Sequence, residues 1–269
     1  MRILVTGATG NVGRLVVDEL LALGATEVRA FTVDPAKAAL PGEVEVALGH
    51  FGRLDSVAAA LTGVDKLYLA PHLPSASAVA ELAADSGVRH IVDMSGPKGA
   101  HWQGVEDGVE ASGVPFTHLE PGEFTSNGLL WAAQIRAGDV VRDAYPDVVN
   151  APVAQEDIAA VAARVLLGGA EHHGRSYELT GPVALSRRAK VAEIGAALGR
   201  SLIYEELTGD AARDHFTATM GAAAAEWYLD GLARSAGHPQ RATSTVHDLL
   251  GRPAMGYREW ARRHADQFR

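Results

Sequence analysis

MRILVTGATGNVGRLV, residues 1–16, decides the fold of this chain. It holds a short apolar run from Ile3 to Val5, glycines at 7, 10 and 13, and then an amphipathic stretch. A run this short suits a buried parallel strand and is too short for a helix. The chain must then turn sharply into a helix and let a pyrophosphate approach its backbone. Glycine permits both, because it reaches positive φ and has no Cβ to hold a ligand away. The unpaired amides of the helix's first turn, at its positive dipole end, receive the phosphate charge. Three glycines alone are weak; set between a strand and a helix they are specific. Gly7, Thr9, Gly10, Asn11, Val12 and Gly13 are therefore the expected cradle.

Outward from this stretch, short apolar runs alternate with helical patterns, as in a parallel sheet wrapped by helices. Strands are expected at Ile3–Thr6, Val28–Thr32, Val44–Leu48, Lys66–Ala70, His90–Met94 and Phe116–Glu120. Helices are expected at Val12–Leu23, Leu54–Leu61, Ser75–Asp85 and Val105–Ala111. Gly24, Gly63, Gly87 and Gly113 fall where these helices end, the position that favours a left-handed residue. After Phe124 the rhythm changes. Asn127–Ala137, Asp157–Leu167, Arg188–Leu198 and Ala211–Arg234 read as helices, and Ser176–Leu179 as one more sheet strand. The class is α/β: a doubly wound parallel sheet with a smaller, mostly helical C-terminal lobe. Residues 1–126 form the dinucleotide-binding core and 127–269 the substrate-side lobe, with about 147–182 returning to the sheet.

Composition narrows the partners. Hydrophobic residues make up 47%, an ordinary globular content. A net charge of −9 disfavours direct binding to nucleic acid or an anionic membrane surface. There is no cysteine, hence no disulfide, thiolate metal site or cysteine nucleophile. A strand at residue 3 leaves no room for a signal peptide, and no apolar run reaches membrane-spanning length, so a cytoplasmic location is expected. The eleven histidines show no metal spacing, and no G-x-S-x-G elbow occurs.

The segments TGATGNVG (6–13), LTGVDKLYL (61–69), SGVRHIVDMSG (86–96) and EASGVPFTHLEPGEFTSN (110–127) resemble the atypical short-chain dehydrogenase/reductase group. EDIAAVAARVL (156–166), YELTGP (177–182) and LGRPAMGYREW (250–260) continue the likeness, which is to its NmrA-like, quinone-reductase-like branch. The resemblance covers nearly the whole chain in order. It implies a Rossmann domain binding NAD(P), with Ala70, Pro71 and Ser95 beside the cofactor, and a C-terminal lobe forming a pocket over the nicotinamide. A small aromatic or quinone-like substrate is implied, and a homodimer is left open.

The departures from the family pattern carry as much weight. Relatives place an arginine after the threonine of the second strand to grip the 2′-phosphate of NADP, whereas this chain has Val33 followed by Asp34. An acid roughly 20 residues past the last glycine is the usual ribose ligand that selects NAD. The same Asp34-Pro35 pair also serves as a helix cap, and Arg14 and Lys37 supply positive charge, so NAD and NADP both stand. His50 takes the place of an aspartate that relatives carry near the adenine. The family's Tyr/Lys pair falls on Lys98 and Trp102, neither of which can play the usual part.

Ser95, His101 and Glu120 are the catalytic candidates that remain. His72, Trp102, Glu123, Phe124 and Asn127 are the candidates for contact with substrate, and Phe124, Trp131 and Trp227 for an aromatic wall. Each also has a plain reading, as a strand terminus, a loop histidine, a solvated carboxylate or a core aromatic. A ketone needs a positioned acid worth roughly 10²–10⁴-fold. A quinone does not, because hydride addition leaves a stabilised phenolate that water can protonate, and proximity to the nicotinamide is sufficient. Three functions follow. The first is an NAD(P)H-dependent reductase of quinone-like, aromatic or enone substrates. The second is a non-catalytic NAD(P) sensor acting on a protein partner. The third is an isomerase, epimerase or cyclase on the same fold.

Overall fold

The computed structural model describes every residue except 97, 98 and 100, and the side chains at 37 and 38 are likewise undescribed. Lys98 and the side chain of Lys37 therefore lie outside the described residues. The chain divides into two compact units, 1–122 with 155–179 and 245–253, and 123–154 with 180–244 and 254–269.

The first unit is a seven-stranded parallel sheet. Its strands are β1 (Ile3–Val5), β2 (Val28–Thr32), β3 (Glu45–Leu48), β4 (Lys66–Leu69), β5 (His90–Met94), β6 (Phe116–Pro121) and β7 (Arg175–Leu179). Their order is β3-β2-β1-β4-β5-β6-β7, every neighbouring pair parallel. The order reverses between β1 and β4, the point at which open α/β sheets open a crevice at their carboxyl ends. Ile3, Leu4, Val5, Leu67, Tyr68, Ile91 and Val92 are buried, as expected of strands covered on both faces.

The covering helices are α1 (Gly13–Ala22), α2 (Leu54–Leu61), α3 (Ala76–Asp85), α4 (Gln103–Ala111) and α5 (Gln155–Leu167). Gly24, Gly63, Gly87 and Gly113 all take positive φ, which stops the helices before them. Helix α5 is buried on most sides, packing on α1, β4, β5 and β6. Its buried Asp157 is held by Arg252 at 2.7 Å.

The second unit departs further from the sequence reading. Residues 125–131 form a 3₁₀ turn, and the α-helix of that segment is confined to Ala132–Ala137. The long helix expected at 211–234 is two helices, Gly209–Met220 and Ala222–Ser235. Gly221 divides them with φ of 85° and ψ of 155°, a conformation open only to glycine. Two small strand pairs join the helices: Val140–Asp143 parallel to Ile203–Glu206, and Val149–Asn150 antiparallel to Leu185–Ser186. One core gathers Trp131, Ile135, Val191, Ile194, Trp260 and Phe268; another gathers Val148, Phe216 and Leu232.

Candidate functional site

Thr6 follows β1 and knits it to β4: its hydroxyl donates to Tyr68 O at 2.9 Å and accepts from the Ala70 amide at 2.9 Å. The chain then turns at Gly7, whose φ is +60°, and the Gly10 amide donates back to Gly7 O at 2.8 Å. A Cβ on Gly13 would lie 2.2 Å from that same oxygen, so helix α1 can start this close to β1 only with glycine there. Thr9, Gly10 and Asn11 are exposed along the turn, while Val12 turns its side chain into the core and presents only backbone. The first turn of α1 has no side-chain cap and no acidic residue. Its positive dipole end is thus open to a phosphate, although the Arg14 amide already donates to Gly10 O at 3.1 Å. The residues present fit the pyrophosphate of a dinucleotide.

The ends of β2, β3 and β4 surround this turn. The Thr32 hydroxyl donates to Thr9 Oγ1 at 3.3 Å and accepts from the Asp34 amide at 3.2 Å, joining the glycine turn to the Val33-Asp34 step. Val33 is exposed and Asp34 half-exposed. After β4, Ala70 and Pro71 are half-buried, and His72 stacks on Phe51 with centroids 5.0 Å apart. His50 meets the His72 ring edge-on at 6.4 Å. His72 therefore belongs with the aromatic groups that follow β3, and its Nδ1 is held by Ser75 Oγ at 2.7 Å.

Ser95 follows β5. Its amide donates to Leu119 O at 2.9 Å, and its hydroxyl donates to Glu106 Oε1 on α4 at 2.5 Å. The other oxygen of Glu106 accepts from Gln103 at 3.0 Å. Glu120 is almost buried and bonded to Ser176; burial pushes its carboxyl up, and the Glu106 charge adds to that. Two residues further down the same strands, Asp93 and His118 sit side by side, Nδ1 to Oδ2 at 2.6 Å. His101 is exposed and lies edge-on to Trp102 at 4.9 Å, while Trp102 packs against the core.

Within the second unit a cavity of about 240 Å³ is lined by Asn127, Trp131, Trp227 and Tyr228, with Glu123 and Arg187 among its polar groups. Phe124 is not part of that lining. Each of these two polar groups, Glu123 and Arg187, is held in an ion pair. Arg187 binds Asp143 and the Tyr228 hydroxyl and stacks on the Trp131 and Tyr228 rings at 5.3 and 5.5 Å. Lys190, wholly buried, binds Glu123, which also accepts from Asn150. Burial pulls the Lys190 amine down, and Glu123 opposes that. The sequence reading missed Glu106, Arg187 and Lys190. A signal existed for the last two: Arg187 and Lys190 share the apolar stripe of their helix with Val191 and Ile194.

A family profile described as NAD(P)H-binding matches residues 7–167. The chain belongs to that family. It is 39% identical over 281 residues to a (4-alkanoyl-5-oxo-2,5-dihydrofuran-3-yl)methyl phosphate reductase of Streptomyces griseus, covering 99% of each chain. It is 31% identical over 295 residues to an NAD(P)H azoreductase of Xenophilus azovorans, again covering 99% of each. Among solved structures it resembles the NADPH complex of the quinone oxidoreductase QOR2 from Escherichia coli, with a TM-score of 0.87 and 27% identity over 98% of this chain and 99% of that one. The family's cofactor is NAD(P)H, and the fold is the Rossmann-type sheet of atypical short-chain dehydrogenases/reductases. Among the described residues no helix is long and apolar enough to cross a membrane.

Proposed function

We propose that this NAD(P)H-binding reductase reduces a planar, electron-poor carbonyl compound, either a quinone or a ring enone. The observation that carries this reading is the aromatic cavity of the second unit, whose walls are Trp131, Trp227 and Tyr228 and whose ionic groups are already paired. Such a lining favours a flat, conjugated ring over an aliphatic alcohol. Support comes from the Streptomyces griseus relative, whose named substrate has a ring double bond conjugated with carbonyl groups. Reduced nicotinamide supplies a hydride when bound. The glycine turn of the first unit would hold its pyrophosphate. No Tyr/Lys pair takes part in this reading.

Nicotinamide absorbance with a panel of quinones, ring enones and simple ketones tests it, with Gly10→Asp as the blank. The expected result is enzyme-dependent loss of reduced cofactor with quinones and enones and none with simple ketones. Val33 would bring no cation to a 2′-phosphate, and Asp34 would supply an acid to the ribose hydroxyls, so NADH is the expected faster cofactor. Tight cofactor binding without oxidation by any acceptor would overturn the reductase reading in favour of a sensor or a non-redox enzyme.

A further inference from the structure

Arg187 and Tyr228 both line the aromatic cavity of the second unit. Arg187 opens the helix Arg187–Leu198, and Tyr228 lies in the helix Ala222–Ser235. The fold brings the guanidinium against the phenol: Arg187 Nη2 donates to the Tyr228 hydroxyl, and its Cζ lies 5.5 Å from the ring centroid. Arg187 is held from its other sides as well. Nη2 also meets Asp143, Nε donates to Ala144 O at 3.2 Å, and the Trp131 ring lies 5.3 Å away. Asp143 is fixed in turn, accepting from Trp131 Nε1 and from the Ala144 amide. A rigid guanidinium fork held at several points has one place to stand, and the Tyr228 hydroxyl takes its position from it.

The Tyr228 oxygen accepts from a cation, which leaves its own hydrogen to give. No acceptor among the described residues takes that hydrogen. Other donors of the lining are spent or open to water. Asn150 donates to Glu123, Trp131 to Asp143 and Ser235 to Gly231 O at 2.9 Å, while Asn127 and Trp227 are exposed. Burial pushes the Tyr228 phenol above its ordinary value, and Arg187 opposes that only in part, so the hydroxyl keeps its hydrogen at neutral pH. A hydrogen bond from it to a charged oxygen would be charge-assisted, roughly twice as strong as a neutral one.

We propose that the Tyr228 hydroxyl, aimed by Arg187, is the donor that meets the negative oxygen formed when the acceptor is reduced. The inference rests on the reductase reading given above. An enone gains a hydride at its β-carbon, the carbon–carbon π pair shifts towards the carbonyl, and the carbonyl π pair moves onto oxygen. That oxygen accepts the Tyr228 hydrogen bond, while the Arg187 cation behind the phenol polarises the donor. Tyr228 keeps its proton throughout. Water then protonates the enolate, so the acceptor gains one hydride and one solvent proton and the nicotinamide is oxidised. Tyr228 touches the reacting oxygen and is the catalytic residue; Arg187 and Asp143 position it.

Tyr228→Phe keeps the ring and its stacking and removes only the hydroxyl. A donor needed only as charge develops acts on the transition state, so the loss falls on the rate and not on affinity. Tyr228→Phe is expected to slow single-turnover reduction of a ring enone by about 100-fold, with acceptor and cofactor affinity changed by no more than about threefold. A benzoquinone, whose phenolate oxygen is the weaker base, is expected to slow by only about tenfold. A merely structural role would slow both acceptors alike. Tyr145→Phe, which removes a phenol of the same unit outside this lining, is the control and changes neither rate.

A second measurement needs no turnover. A nitrophenol is a flat ring whose phenolate form carries the oxygen charge of the reduced acceptor and absorbs visible light. The wild type should bind the phenolate about tenfold more tightly than Tyr228→Phe does, with little difference between the two proteins for the neutral phenol. Equal losses on both acceptors, unchanged rates in Tyr228→Phe, or equal phenolate affinity in the two proteins would each overturn the assignment while the reductase stands. A wild-type protein that reduces quinones alone is judged on the benzoquinone loss and the phenolate difference, and the absence of either overturns the assignment. A wild-type protein that oxidises neither cofactor overturns the reductase reading and the assignment with it.

Discussion

Gly13 and His90 show how one atom more or one proton fewer sets a property of the chain. A Cβ at Gly13 would press on backbone, 2.2 Å from Gly7 O and 2.7 Å from Gly7 C, and backbone cannot swing aside as a flexible side chain does. Gly13→Ala is expected to weaken NAD(P)H binding by roughly tenfold or more, as start of helix and turn are forced apart. Fluorescence titration of the reduced cofactor measures it. Gly42→Ala, whose Cβ would meet nothing within 4 Å, is the control and leaves affinity unchanged. His90 is wholly buried, its Nε2 bonded to Thr117 at 2.9 Å, and burial first, then the neighbouring His173, pull its pKa down to about 3. The unfolded chain takes up this proton near pH 6.5 and the folded chain near 3, so His90 contributes stability above pH 6.5 that is lost as pH falls towards 3. Each pH unit in that window costs up to about 1.4 kcal/mol. Asp93 works the other way: burial raises it to about 6, so its contribution is present at low pH and fades as pH rises through 6. Calorimetric melts from pH 7 to 4 should therefore fall less steeply for His90→Gln than for the wild type.

Elements are held together here by a few buried charges as well as by apolar stripes. Arg187, at the start of its helix, joins Asp143 on the strand Val140–Asp143, and Trp131 Nε1 donates to the same carboxylate. Arg187→Met would leave Asp143 buried and short of its cation, at a cost of about 3–5 kcal/mol in a denaturant melt. Arg187→Met with Asp143→Leu should recover most of that, because the uncompensated charge is gone. This unit was the less legible part of the sequence. In the sheet, β2, β5 and α2 begin and end where apolar runs and turn residues place them, since both faces are covered and every position speaks for burial. The strand Ile203–Glu206 ends in two glutamates and has one buried residue, Tyr204, so no alternation announces it. The helix break at Gly221 depends on a ψ that no spacing reveals. In the site, the glycine turn was legible because sterics alone demand it. Glu106 was not: it follows Val105 on a helix whose Val105 and Val109 mark the buried face, and its partner Ser95 lies on another element. An acid in such a pattern reads as solvated.

At the scale of the whole molecule, the chain crosses between its two units five times, at 122/123, 154/155, 179/180, 244/245 and 253/254. Neither unit is a continuous piece. A protein cut after Gly122 would keep β1 to β6 but lose β7 and α5, leaving the edge of β6 and the apolar faces under α5 bare. It is expected to aggregate or to bind a hydrophobic dye strongly, and the full chain is expected to do neither; light scattering and dye fluorescence distinguish them. The same arrangement sets a timetable for biosynthesis. Strand β6 ends at Pro121 but the strand that closes its edge begins at Arg175. At roughly 5–20 residues per second, a ribosome leaves that edge open for on the order of several seconds. During that interval neighbouring nascent chains on one messenger present matching unpaired edges to each other, and spacing between ribosomes becomes a determinant of yield. Slower initiation should thus raise the soluble fraction of this protein more than slower elongation does.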